Sequence, residues 1–259
     1  MKTEEFFLPC DGMRVHSKLT VPEDGRDRFP LCIIVHGFTG HMEEEHILAV
    51  EESVLSLGMA SLRVDLYGHG QSSGEFRDHN LLLWLAELVR VIEYASALPC
   101  VSELYLAGHS QGGAAIVLAG AIMAEKLTAL LPLAPATLIR SAALNNELFG
   151  TTFPSPLPDL LQADFSEEET LTLHASYLRV NRLLPFGAAA KEFRGPVLLV
   201  HSDTDETVPY ACSEDLAALY ENAELITLHG CDHCFTGQLD ALKQAVSKFL
   251  RRVSEKLPA

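Results

Sequence analysis

The sequence predicts an α/β fold, a mainly parallel sheet flanked by helices and interrupted by one inserted subdomain. Three observations predict it. Short continuous apolar runs alternate with longer stretches of helical spacing, the pattern of strands joined by crossover helices. A G-x-S-x-G pentapeptide lies between one such run and an apolar stretch of helix length. Residues 136–194 then break the alternation with four prolines and an acidic Ser166-Glu167-Glu168-Glu169.

The elements follow in order. Residues 4–21 read as an antiparallel ribbon turning at Asp11-Gly12, a pair suited to the positive φ angles of a tight hairpin. Leu31 to Val35 is apolar throughout, as expected of a strand buried on both faces. Further strands are expected at Ala60 to Val64, Leu104 to Ala107, Leu130 to Ala134, Val197 to Val200 and Glu224 to Leu228. Leu81 to Ala97 repeats apolar residues every three and four positions, which predicts an amphipathic helix with Trp84 as a core anchor. Ala114 to Ala124 is apolar nearly all round, so this helix should be buried. The division expected is a core of residues 1–135 and 195–259 with an inserted cap at 136–194, in which Leu171 to Leu184 reads as helical. A segment that long between core strands is usually functional.

Composition excludes several classes. A chain of 259 residues can bury roughly three quarters of its unfolded surface and needs no staples. The net charge of −16 argues against nucleic acid, whose binders need a basic face. No stretch reaches the ~20 apolar residues that span a bilayer. Acids stand near the N-terminus where a signal peptide has its apolar core. A cytoplasmic protein without membrane or nucleic-acid partners is expected. The six cysteines are scattered, as reduced thiols are. Cys231 and Cys234 form a lone C-x-x-C, with no second pair to complete four zinc ligands. No metal or cofactor is expected. The residues are silent on assembly, and a homodimer is carried as an expectation.

The chemistry concentrates at Gly108-His109-Ser110-Gln111-Gly112. A serine between strand and helix in this pentapeptide sits on a strained turn that exposes its hydroxyl, and the flanking glycines avoid clashes there. Ser110 is the candidate nucleophile. A hydroxyl needs a base, and the partners of such an elbow follow in the order acid, then histidine. Of His174, His201, His229 and His233, the last lies in a loop after the final strand, where it can swing over the elbow; His229 ends that strand. The acid should follow the preceding strand, where Asp203, Asp205 and Glu206 are all available and spacing does not choose among them. The oxyanion donors expected are the main-chain N–H groups of Gln111, next to the nucleophile, and of Phe38, in His36-Gly37-Phe38-Thr39-Gly40. The glycine-rich loop Asp65 to Gly74 fits no phosphate-binding fingerprint and reads as structural, with Asp65 capping local backbone.

With these motifs together, the sequence resembles the bacterial feruloyl (cinnamoyl) esterases of the α/β-hydrolase superfamily. The resemblance rests on Cys32 to His41, Asp65 to Gly74, Gly108 to Gly113, Leu133-Ala134-Pro135-Ala136, Ser176-Tyr177-Leu178-Arg179-Val180, Asp205 to Tyr210 and Asp232-His233-Cys234. It implies that the triad acid is Asp205, from an H-G-x-x-D-x-x-V-P pattern in which Ser202 replaces the glycine. It implies a cap closing over an aromatic acyl group, with Tyr177 as substrate-binding residue for a phenolic hydroxyl. Where some relatives carry an acid and an amide for that hydroxyl, this chain offers Ala142 and Phe149.

The expected function is a serine carboxylic-ester hydrolase acting on a small-molecule ester, with ferulate or a related hydroxycinnamate as the acid released through an acyl-enzyme. Its base must be neutral, so activity should rise with pH through the imidazole range, about 6.5 in a free histidine. The alternatives are a short-acyl carboxylesterase without hydroxycinnamate preference and, on the same fold, a non-catalytic ligand-binding protein.

Overall fold

The computed structural model describes residues 1–166 and 169–255. Two glutamates of the acidic run, Glu167 and Glu168, lie outside them.

The chain opens with a hairpin of β1 (Lys2–Cys10) and β2 (Met13–Val21). Asp11 and Gly12 both take positive φ, 46° and 84°, which matches the twist of the flanking strands. β3 (Phe29–Val35), α1 (Glu45–Ser56), β4 (Ala60–Val64), α2 (Leu81–Ala97), β5 (Val101–His109), α3 (Gln111–Ile122) and β6 (Ala129–Leu133) follow. After residues 134–196 come β11 (Val197–Ser202), α7 (Ala211–Leu219), β12 (Ala223–Leu228) and α8 (Leu239–Ser254). The sheet order is β1-β2-β4-β3-β5-β6-β11-β12, antiparallel at β1–β2 and β2–β4 and parallel elsewhere. β1 is an edge strand whose residues Lys2 to Glu5 are exposed.

The parallel strands bury both faces. In β3, Leu31, Ile33 and Val35 join one apolar cluster, with α2 and α3, while Cys32 and Ile34 join the other, with α1 and α8. That period of two explains why the strand reads as uninterrupted apolar sequence. Trp84 is fully buried in the first cluster and donates its indole N–H to Tyr67 O at 3.0 Å. α8 is amphipathic, burying Leu242, Val246, Phe249, Leu250 and Val253.

Between β6 and β11 lie α4 (Ile139–Leu144), β7 (Glu147–Leu148), β8 (Thr151–Thr152), β9 (Leu160–Asp164), β10 (Thr170–His174), α5 (Ser176–Asn181) and α6 (Phe186–Glu192). They carry a small apolar cluster that includes Leu148, Leu161, Leu173, Tyr177 and Leu178. One expectation is corrected here. The stretch Leu171 to Leu184 is not helical throughout, because Thr170–His174 pairs antiparallel with Leu160–Asp164 before α5 begins. The sequence Thr-Leu-Thr-Leu-His alternates polar and apolar residues, and its threonines favour a pleated strand. Among the described residues, no helix is long and apolar enough to cross a membrane.

The parallel strands end at one edge. There the loops after β3, β5, β6, β11 and β12 converge, where open α/β sheets form their crevices.

Candidate active site

The edge is organised around the turn from β5 to α3. Ser110 takes φ 55° and ψ −119°, a strained conformation for a residue with a side chain. The turn closes because its neighbours lack one. A Cβ on Gly108 would lie 2.6 Å from Gly112 O, and a Cβ on Gly112 would lie 2.2 Å from His36 O. Hydrogen bonds brace the strained residue: Ser110 N–H donates to Leu133 O at 2.9 Å, and Ser110 O accepts from Ala114 N at 2.9 Å and Ala136 N at 3.0 Å.

The loops after β11 and β12 sort the titratable candidates into two pairs. His229 and Asp203 meet at 2.6 Å on the surface, with the histidine 79% exposed. His233 Nδ1 and Asp205 Oδ2 also meet at 2.6 Å, with side-chain exposures of 13% and 0%. Asp205 Oδ1 accepts the N–H groups of Thr207, at 2.9 Å, and Val208, at 2.8 Å. Oδ2 receives a further bond from His201 Nε2, at 3.2 Å. That nitrogen also lies 3.0 Å from Val208 O, which can only accept, so it carries the proton and Nδ1 accepts from Ser213 Oγ at 2.7 Å. Burial alone would raise the Asp205 carboxyl, but the bonds from His201 and His233 outweigh it and hold it well below the usual carboxylate range. A carboxylate so held makes His233 Nδ1 the donor and leaves Nε2 as a lone pair. Nε2 is buried and has no partner among the described residues. His174 lies elsewhere, 3.1 Å from Asp78.

The loop after β3 supplies a second set of groups. His36 is fully buried; its Nδ1–H donates to Gly37 O at 2.7 Å and its Nε2 accepts from Leu66 N at 3.0 Å. Burial, aided by His69, lowers its pKa to about 3 and keeps the ring neutral. Thr39 N–H donates to His69 Nε2 at 3.2 Å. The glycine-rich loop is thus a brace for this segment, and Asp65 accepts the N–H groups of Met42 and Gln71, at 2.8 and 3.0 Å. Among the described residues, the main-chain N–H groups of Phe38 and Gln111 donate to no protein acceptor.

These pieces share one cavity of about 1090 Å³, lined among others by Phe38, Ser110, Gln111, Tyr177 and His233. The segment between β6 and β11 contributes Ala142, Leu148, Phe149 and Phe165 to its wall. Phe38 packs against Phe149 (5.3 Å between ring centroids), Tyr177 (5.8 Å) and Phe165 (6.1 Å). Glu44, Glu147, Glu206 and Asp232 also line the cavity, with no lysine or arginine among the described residues of its wall. Tyr177 is buried, and its hydroxyl donates to Gln111 Oε1 at 2.7 Å.

The structure therefore brings together Ser110, His233, Asp205, Phe38, Gln111 and Tyr177, and separates Asp203 and His229 from them. Sequence reasoning missed His201 as the second donor to Asp205, although it precedes that aspartate by four residues. It also missed His69, whose bond to Thr39 joins two loops distant in sequence. Cys231 is buried and Cys234 exposed, and both line the cavity. Among the described residues, no group of three or more histidines, cysteines or acids is placed to hold a metal ion.

Comparison with known proteins gives a consistent placement. Est1E from Butyrivibrio proteoclasticus, in a structure with ferulic acid bound, is 40% identical, with a TM-score of 0.92 over 97% of this chain and 100% of that one. Human Protein ABHD12B is 26% identical over 204 residues, 76% of this chain and 52% of that protein, so the chain spans about half its length. Human mitochondrial palmitoyl-protein thioesterase ABHD10 is 24% identical over 212 residues, 80% of this chain and 68% of that protein. A model of the alpha/beta hydrolase family matches residues 32–245, and the chain belongs to that family.

Proposed function

We propose that the chain is a serine hydrolase of carboxylic esters that releases ferulate or related hydroxycinnamates through an acyl-enzyme. Ser110 Oγ attacks the ester carbonyl as His233 Nε2 takes its proton. Asp205, accepting from His233 Nδ1, keeps that lone pair free and steadies the imidazolium that forms. The N–H groups of Phe38 and Gln111 receive the oxyanion, each contributing about 3 kcal/mol. His233 returns the proton to the leaving alcohol, then deprotonates the water that releases the acid. Residues 136–194 act as a cap whose Tyr177, Phe149 and Phe165 enclose the acyl group. The scheme uses no metal or cofactor. The unpaired thiols support a cytoplasmic location.

One observation carries this reading: Ser110, Phe38, Gln111 and His233 line a single cavity, with His233 bonded to the deeply buried Asp205. The ferulic acid in Est1E, at 40% identity, supports the acyl group. A second reading, a short-acyl carboxylesterase, is favoured by Ala142 and Phe149, which put apolar surface into the cavity wall.

Ser110→Ala should remove hydrolysis of methyl ferulate and p-nitrophenyl butyrate alike, by about a millionfold, with the fold intact. Retained turnover overturns the nucleophile. On the unmodified chain, kcat/KM should favour methyl ferulate; a ratio strongly favouring the butyrate establishes the second reading. Failure of a fluorophosphonate to label Ser110 would leave only ligand binding.

A further inference from the structure

The residue between Gly108 and Ser110 does more than fill the pentapeptide. His109 ends β5 with 3% of its surface exposed. Its Nε2 lies 2.9 Å from the main-chain carbonyl oxygen of His233, 124 residues further along the chain. A carbonyl oxygen only accepts, so Nε2 carries the proton and Nδ1 the lone pair. Nδ1 is buried without a protein partner among the described residues and faces the loop after β3, since a Cβ on Gly37 would lie 3.2 Å from it. The ring is held between His46, 4.2 Å away between centroids, and His233, 4.5 Å away, with Phe235 edge-on at 5.8 Å. Burial, helped by His46 and His233, lowers its pKa well below the ordinary histidine value. The ring therefore stays neutral and keeps the one tautomer the bond requires.

Elsewhere the loop that bears His233 is held at its flanks and, through the His233 side chain, by Asp205. Cys231 O accepts from Ser202 Oγ at 2.6 Å and from Thr204 Oγ1 at 2.8 Å. Asp232 Oδ1 accepts the N–H groups of Cys234 and Thr236, at 3.0 and 2.9 Å. Gly230 and Gly237, both at positive φ (70° and 76°), bracket the segment and give it pivots. Among the described residues, the bond from His109 alone reaches the carbonyl of His233 itself. It also ties the loop directly to the residue next to Ser110.

We propose that His109 is a positioning residue that fixes the approach of the His233 imidazole to Ser110 by holding the His233 carbonyl to the end of β5. This rests on the reading of Ser110 as nucleophile and His233 as base. Holding two reacting groups in register is worth large factors in rate, and a misplacement of about 1 Å can cost about a hundredfold.

The test uses the full chain and the variants His109→Gln, His109→Asn and His109→Leu, with Ser110→Ala as control. Glutamine places an amide N–H where His109 has Nε2–H; asparagine is polar but falls short of the carbonyl, and leucine has no donor. Each is assayed for kcat and KM on p-nitrophenyl butyrate, for the rate of fluorophosphonate labelling and for Tm. His109→Gln should stay within about fivefold of the parent in kcat. His109→Asn and His109→Leu should lose about 30- to 100-fold in kcat and labelling rate, with KM within about twofold. Should His109→Leu fail to fold, the glutamine and asparagine variants decide the matter. Parental kcat in a folded His109→Asn overturns the proposal. So does a loss in His109→Gln equal to that in His109→Asn, or a change confined to KM. Turnover surviving in Ser110→Ala overturns the underlying reading of the site instead, whatever the His109 variants do.

Discussion

The carboxyl edge of the sheet and the segment between β6 and β11 hold their side chains by different means, though both line the same cavity. At the edge, polar groups are fixed by directional bonds: Asp205 accepts from four donors, His36 bridges two partners and His201 three. In the inserted segment, Phe149 and Phe165 are held by aromatic packing, and the bond from Tyr177 to Gln111 is a side-chain link to the elbow. Directional bonds define one arrangement, whereas apolar contacts tolerate exchange at similar volume. On the proposed function, the chemistry falls to the edge and the choice of acyl group to the insertion.

The largest way to break that comparison is at Asp205. Asp205→Asn puts an N–H₂ donor among groups that all donate, and favours the wrong tautomer of His233. Loss of about 10⁴ in kcat is expected, equal for butyrate and ferulate esters. A loss that depended on the acyl group would contradict the division of labour.

A smaller effect concerns what the polar edge costs. Glu87 on α2 is fully buried; one carboxylate oxygen accepts from Tyr67 N–H at 2.7 Å and the other has no partner among the described residues. Burial raises its pKa to about 7, against the bond from Tyr67. For an acid raised in the fold, stability is fullest below its unfolded pKa, about 4.3, and declines as pH rises towards 7. Glu87→Gln should therefore gain about 1–3 kcal/mol at pH 8 and little at pH 4, read as Tm at the two pH values. An equal shift at both would show that the charge is not what strains the site.

The smallest effect tests the insertion. Tyr177→Phe removes the donor to Gln111 and should cost about 1 kcal/mol in stability. Its kcat/KM should fall by less than about tenfold, and by different factors for ferulate and butyrate esters. Identical factors would place Tyr177 with the edge and sharpen the boundary between the two regions.

Much of the edge is legible in the sequence because its determinants are local. The apolar runs name the strands, Asp11-Gly12 names its turn, and Gly108 and Gly112 flank a serine between strand and helix. The insertion is less legible because short elements carry conflicting periodicities. Leu171, Leu178 and their neighbours match helical spacing, yet Leu171 to His174 pair as a strand. The relays are illegible for another reason. His109 meets the carbonyl of His233 across 124 residues, and Tyr177 meets Gln111 across 66. Composition shows that polar residues are present, but only the assembled sheet shows which are neutralised by burial and which of their nitrogens hold a proton.

The outer margin of β1 has a consequence beyond catalysis. An open strand edge invites a second molecule to add its own strand, which is how soluble proteins begin to form fibrous aggregates. Here the margin carries Glu4 and Glu5 in exposed positions, and Pro9 has no amide hydrogen to offer a neighbour. Two copies approaching side by side would bring those carboxylates together, each on a molecule already bearing a net −16. Charge and a missing amide hydrogen at this margin thus disfavour self-templating.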